Sequence, residues 1–129
     1  MSRSRDKERP RDPERVRHML EAARAIMRYT TGRTLADFLA DDMLQGAVER
    51  RFEILGEAAT HISAATQAAW PTIEWREAKN FRNLIAHEYF RVDYATVWHA
   101  TQVVLPQLIP LLEDLLVDLD QQFGPDASV

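Results

Sequence analysis

The sequence predicts an all-α protein, most simply an antiparallel four-helix bundle with short additional helical turns. Three observations predict it. Apolar residues recur at steps of three and four through four long segments, which gathers them on one face of each helix. No stretch alternates apolar and polar residues as a half-buried strand would. Only 4 of the 129 residues are Gly, which disfavours a turn-dense all-β fold.

The elements follow in chain order. Residues 1–11 (MSRSRDKERPR) are polar, charged and without periodicity, and read as a mobile basic tail. A single helical domain is expected over residues 12–123, with residues 124–129 as a flexible C-terminus. Asp12 can cap the first helix and Pro13 suits its first position. Val16, Met19, Leu20, Ala23, Ile26 and Met27 form its apolar stripe, and Gly32 lies just beyond its end. Thr34 to Asp37 resembles a capping box, so a short turn carrying Phe38 and Leu39 is expected.

Asp41 or Asp42 can cap the second long helix, whose stripe runs Leu44, Ala47, Val48, Phe52, Leu55, Ala58, Ala59 and Ile62. Gly56 sits inside it. An interior glycine costs ~1 kcal/mol against alanine, so a close helix–helix contact at Gly56 is expected to offset that cost. Trp70-Pro71 ends the region, because the residue before proline is pushed out of the helical basin. A third helix is expected from about Glu74 to His87, burying Trp75, Ala78, Phe81, Leu84 and Ile85. Residues 89–92 read as a connection, and Asp93 can cap the last helix. Pro106 and Pro110 fall inside its leucine-rich pattern. Each removes a helical hydrogen bond and crowds the carbonyl four residues back, so a kink near residues 102–106 or a break into two pieces is expected.

Composition narrows the chemistry. The chain has no Cys, which removes disulfides, thiolate metal sites and a Cys nucleophile. No uninterrupted apolar run approaches the ~18–20 residues of a membrane span. The N-terminus is charged and lacks an apolar core, so it does not read as a secretory signal, and a cytoplasmic setting is expected. The net charge of −4 is uneven: residues 1–33 carry +5 and residues 34–129 carry −9. The total does not suit a nucleic-acid coat protein, while the basic first third can attract an anionic partner. There is no glycine-rich phosphate loop, dinucleotide fingerprint or His-Glu-x-x-His helix. None of His18, His61, His87 and His99 has another His three or four residues away, so no local helical metal site is expected. Glu113, Asp114, Asp118 and Asp120 read as the wet face of the last helix.

One segment stands apart: Arg82-Asn83-Leu84-Ile85-Ala86-His87-Glu88-Tyr89. Arg offers a fixed, permanently charged fork for phosphate oxygens. His exchanges a proton near neutral pH, and Asn can orient either partner. On an ideal helix Arg82 and His87 stand about 140° and ~7.5 Å apart, so both can border one cleft at the helix end. The same residues also have a structural use. His87 suits a helix C-terminus, and Arg82 can pair with Glu88 or with an acid of another helix.

This octapeptide resembles the Arg-x4-His-x-Tyr motif of HepT-like toxins in the HEPN superfamily. Leu55-Gly56-Glu57-Ala58 is similar to the family's Gly-Glu-Ala segment, and Trp75, Tyr89 to Asp93 and Val97-Trp98 sit at family-like distances. The resemblance covers roughly residues 12–120 and implies a HEPN-like helical bundle. It implies an endoribonuclease toxin of a toxin–antitoxin module, active without metal or other cofactor, cleaving RNA at a composite site built by a homodimer. His87 would transfer protons, Arg82 would hold the scissile phosphate, and Asn83 would support them. The partner implied is an antitoxin similar to the nucleotidyltransferase MntA, which would transfer AMP from ATP onto Tyr89. Arg17, Arg24 and Arg28 are candidates for touching RNA if the first helix lines the cleft. No membrane association is implied. The other reading is a non-catalytic HEPN module that binds a nucleotide or a partner nucleotidyltransferase.

Overall fold

The computed structural model describes residues 11–83 in full, the backbone of residues 84–86, and residues 93–124. Most of the expected basic tail, His87, Tyr89 and the expected connection at residues 89–92 lie outside the described residues. So do the side chains of Leu84 and Ile85.

Four long helical segments make the bundle. They are α1 (Asp12–Thr30), α3 (Asp42–Thr60), α5 (Trp75–Ala86) and a C-terminal pair, α6 (Tyr94–His99) with α7 (Leu105–Phe123). Two short helices, α2 (Leu35–Ala40) and α4 (Ala64–Ala69), join the first three. Helix α1 packs on α3 and α7, and α3 packs on α5. Helices α1 and α3 run antiparallel: Asp12 bonds to Ser63 just past the end of α3, while Arg51 donates to the Tyr29 hydroxyl near the other end. Helices α1 and α7 are antiparallel too, joined by Arg17–Asp120 at 2.8 Å and Arg24–Glu113 at 2.6 Å. Among the described residues there is no strand.

Several helices start at a side-chain cap. Thr34 and Asp37 exchange side-chain and backbone bonds as a full capping box at α2. Asp41 accepts from the Leu44 N–H at α3, and Asp93 accepts from the Thr96 N–H at α6. Asp12 departs from expectation. It is the first residue of α1 rather than its cap, and it is buried. Its carboxylate accepts from the Ser63 N–H and from the hydroxyls of Ser63 and Thr66. Those bonds satisfy a charge that would otherwise be costly to bury, and they tie α1 to the start of α4.

The core is the expected set of stripes. Val16, Met19, Ile26, Val48, Phe52, Leu55, Leu112 and Leu115 are all fully buried. Phe38 of α2 is buried against the rings of Tyr94 and Trp98, at centroid distances of 5.7 and 5.4 Å. It therefore closes one end of the bundle. Helix α4 was not expected, because Ala64–Ala69 carries no apolar stripe and buries nothing. Ser63 starts it by accepting from the Thr66 N–H.

The proline problem in the last segment is solved by a π-turn. Residues Ala100–Val104 widen the coil between α6 and α7, and the Leu105 N–H reaches back to the Ala100 carbonyl. Pro106 then sits in the first turn of α7, where no N–H is needed. Pro110 is accommodated inside α7. The helical run Tyr94–Phe123 is long and apolar enough to cross a membrane by length and composition, which a search for uninterrupted apolar runs does not reveal. Its leucines at 105, 108, 112, 115 and 119 are buried in the bundle, so a core stripe accounts for part of that apolar character.

Candidate active site

A groove of about 480 Å³ lies between α1, α3 and α5. Its floor is one face of α3: Arg50, Glu53, Ile54, Glu57, Ala58 and His61 recur at steps of three and one. Helix α1 contributes Arg15 and His18, and α5 contributes Arg82.

Gly56 is what brings Arg82 there. A β-carbon at Gly56 would meet the Arg82 backbone nitrogen at 2.5 Å, its Cβ at 3.0 Å and its Cα at 3.1 Å. No real side chain fits so near a neighbouring backbone. The expected close contact at Gly56 is therefore present, and it is made with the motif arginine itself. Phe52 and Phe81, one turn and one residue away, meet with ring centroids 4.9 Å apart and planes inclined at 49°, and hold the same helix pair. The next residue of α3, Glu57, then meets the Arg82 guanidinium.

Arg82 Nη1 donates to Glu57 Oε2 at 2.6 Å, and Glu57 Oε1 lies 3.1 Å from His61 Nε2. One carboxylate thus bridges an arginine and a histidine. All three side chains are about half exposed, at 49, 52 and 51%. In such a solvated setting an ion pair is weak, so Arg82 can exchange Glu57 for an incoming phosphate. The hydrogen bond from Arg82, and after it the one with His61, holds the Glu57 carboxyl below its ordinary range. A depressed carboxylate keeps its interaction above the unfolded-state value and loses it as pH falls through the folded value. The Glu57–Arg82 bond is therefore expected to survive mild acid and to open only below the free Glu value of ~4.3. An NMR titration of the Glu57 carboxyl checks this. A midpoint at or above that of a free Glu would show that the pair does not hold in solution.

The remaining candidates are placed as follows. Asn83 is exposed on α5, one residue round from Arg82. His87 and Tyr89 lie outside the described residues. Arg17 and Arg24 engage Asp120 and Glu113 of α7, on a different face of α1 from Arg15 and His18. Arg28 is exposed further along α1. Two of the four acids expected to form a wet face, Glu113 and Asp120, thus serve as clasps. Sequence reasoning allowed Arg82 an acid of another helix but named neither Glu57 nor His61, which shares that carboxylate. The spacing held a usable signal, since Glu57 and His61 are four apart on one helix and Glu57 adjoins the glycine expected to mark a contact. Among the described residues, no three His, Asp or Glu side chains are grouped to hold a metal ion.

Comparison with known proteins adds family context. A family profile described as "Ribonuclease HepT-like" matches residues 19–115. The chain is 36% identical over 95 residues to "Probable ribonuclease HepT" of Thermococcus cleftensis, covering 74% of this chain and 86% of that protein. It is 30% identical over 90 residues to a "Putative RNase" of Methanocaldococcus jannaschii, covering 70% and 83% respectively. It is 31% identical over 106 residues to a "Gamma-glutamylcyclotransferase and putative RNase" of the same organism. That alignment spans 82% of this chain and 48% of the longer relative. No solved structure matches the chain significantly.

Proposed function

The chain belongs to the HepT-like ribonuclease family, and from that premise we propose that it is a HEPN-type endoribonuclease acting as the toxin of a toxin–antitoxin module in the cytoplasm. The observation that carries this reading is the placement of Arg82. It is pressed into the wall of a cationic groove by Gly56 and held by a solvated, exchangeable partner, Glu57.

The chemistry draws on RNA itself. The 2′-hydroxyl attacks the adjacent phosphorus, the bond to the 5′-oxygen breaks, and a 2′,3′-cyclic phosphate and a 5′-hydroxyl are formed. In this reading no metal is required. A base must take the 2′-hydroxyl proton, an acid must protonate the leaving oxygen, and a cation must hold the charge that builds on the non-bridging phosphoryl oxygens. His87 is the proton-transfer residue and Arg82 the phosphate-binding cation, with Asn83 supporting them. One His cannot be base and acid at once, so the site is completed by a homodimer whose two-fold axis supplies a second copy.

Neutralisation, in this reading, acts through the same motif. The Tyr89 phenol, two residues beyond His87 in sequence, loses its proton and attacks the α-phosphate of ATP on an MntA-like nucleotidyltransferase, and pyrophosphate leaves. The resulting AMP anion competes with RNA for Arg82. Incubation with single-stranded RNA is expected to yield 2′,3′-cyclic phosphate ends. ATP and the nucleotidyltransferase should silence the wild type but not Tyr89→Phe, each tracked by intact-mass measurement. Products ending in 3′-hydroxyls would defeat the cleavage chemistry, and AMP addition to Tyr89→Phe would defeat the assignment of the modified residue.

A further inference from the structure

Helix α1 separates its cations between two faces. Arg17 and Arg24, seven residues apart and therefore nearly eclipsed on a helix, are occupied by Asp120 and Glu113 of α7. Arg15 and His18, three residues apart, face the groove. Neither has an ion pair among the described residues. On the groove side, Arg15 and His18 thus meet a polyanion with no carboxylate to displace, while Arg28 is exposed further along the helix.

Three arginines then stand in sequence along the groove. Asp12 is bonded to Ser63, which puts the start of α1 beside the end of α3. Arg15, less than one turn beyond Asp12, consequently stands at the His61 end. Arg82 is in the middle, on Glu57. Arg50 is at the other end, two turns or ~10 Å from Glu57 along α3. Arg50 is 70% exposed and only loosely paired with Glu53, at 3.6 Å. No Phe, Tyr or Trp is among the described lining residues, so the groove offers cations rather than flat apolar platforms for bases.

We infer that Arg15 and Arg50 are binding residues for the phosphates that flank the one held by Arg82, so that the groove follows the backbone of single-stranded RNA with little regard to base identity. This rests on the ribonuclease reading above and goes beyond it by naming the substrate track. Contacts of this kind are sensitive to salt. On a single strand each contributes ~0.7 to the slope of log affinity against log salt.

The test compares two double variants, Arg15→Ala with Arg50→Ala, and Arg17→Ala with Arg24→Ala. The probe is a fluorescein-labelled, mixed-sequence RNA of about 12 nucleotides, within the ~4–16 nucleotide sites of single-strand binders. It is fully 2′-O-methylated, so it has no attacking hydroxyl and binding is read without cleavage. Cleavage of the unmethylated RNA is followed in parallel, and circular dichroism checks that each variant is folded. The groove variant should bind roughly tenfold or more weakly at low salt, with a slope smaller by about 1.4. Its KM should rise with little change in kcat. The α1–α7 variant should bind as wild type does. Unchanged binding by the groove variant, or equal losses in both variants, would overturn the inference while leaving wild-type cleavage intact. Wild type that binds no methylated RNA would overturn it too, and the parallel cleavage assay then shows whether the ribonuclease reading falls with it.

Discussion

Replacing His87 with alanine is expected to lower the rate of RNA cleavage by roughly 10²- to 10⁴-fold, the usual contribution of a positioned proton donor or acceptor. The loss should appear in kcat, with KM near wild type, because Arg82 and the groove cations still hold the phosphates. His87 follows Ala86, the last residue of α5, so it is fixed in sequence to the helix that carries Arg82. Proton transfer is the step most sensitive to its loss: without it the 2′-hydroxyl must give up its proton unaided and the 5′-oxygen must leave as an alkoxide. His61→Ala provides the contrast. His61 shares the Glu57 carboxylate with Arg82, so its loss should alter phosphate binding far more than proton transfer. Equal cleavage by wild type and His87→Ala would mean that the activity comes from elsewhere. Cleavage by neither would favour a module that binds without catalysis.

The second large effect contrasts two glycines of one helix. Gly46 and Gly56 both lie inside α3, yet a β-carbon on Gly46 meets nothing within 4 Å, while one on Gly56 meets the Arg82 backbone. Gly46→Ala should therefore stabilise the protein by up to ~1 kcal/mol through helix propensity and a less free unfolded chain. Gly56→Ala gains the same propensity but forces α5 away, and Gly56→Leu forces it further. Overpacking of this kind costs ~1–3 kcal/mol or more. The chemistry suffers with the packing, since a displacement of about 1 Å at a reacting group can cost ~10²-fold in rate. Thermal melts of the three variants, with cleavage assays beside them, check both parts. A Gly56→Leu variant as stable and active as wild type would remove the packing account of how Arg82 is positioned.

What could be read from the sequence was mostly local. The Thr34–Asp37 box and the Asp41 and Asp93 caps are visible because each partner is three residues away. The disturbance before Pro106 is visible because proline lacks an N–H whatever surrounds it. Gly56 is a rarer case, in which an unfavourable local residue announces a distant contact. The rest needed partners that no spacing reveals. Asp12 looks like any helix cap until Ser63 and Thr66, over fifty positions away, claim its carboxylate. Arg17 and Arg24 look like unpartnered surface cations until Asp120 and Glu113 are found opposite them. The Arg-x4-His-x-Tyr motif marked Arg82, but its counter-ion lies 25 residues upstream on another helix.

The two clasps between α1 and α7 have a mechanical corollary. Arg17 to Arg24 and Asp120 to Glu113 are both intervals of seven, so the pairs work as a vernier with matched divisions. Sliding either rod by one turn, ~5.4 Å, would set Arg17 against Leu116 or Val117 and Arg24 against Ile109 or Pro110. Both clasps would open together, whereas a one-turn slide the other way would bring Glu113 toward Arg28 but leave Arg17 facing Phe123 or Gly124. Leucine-rich surfaces tolerate such slippage easily on their own; here paired charges add a modest preference for one axial offset.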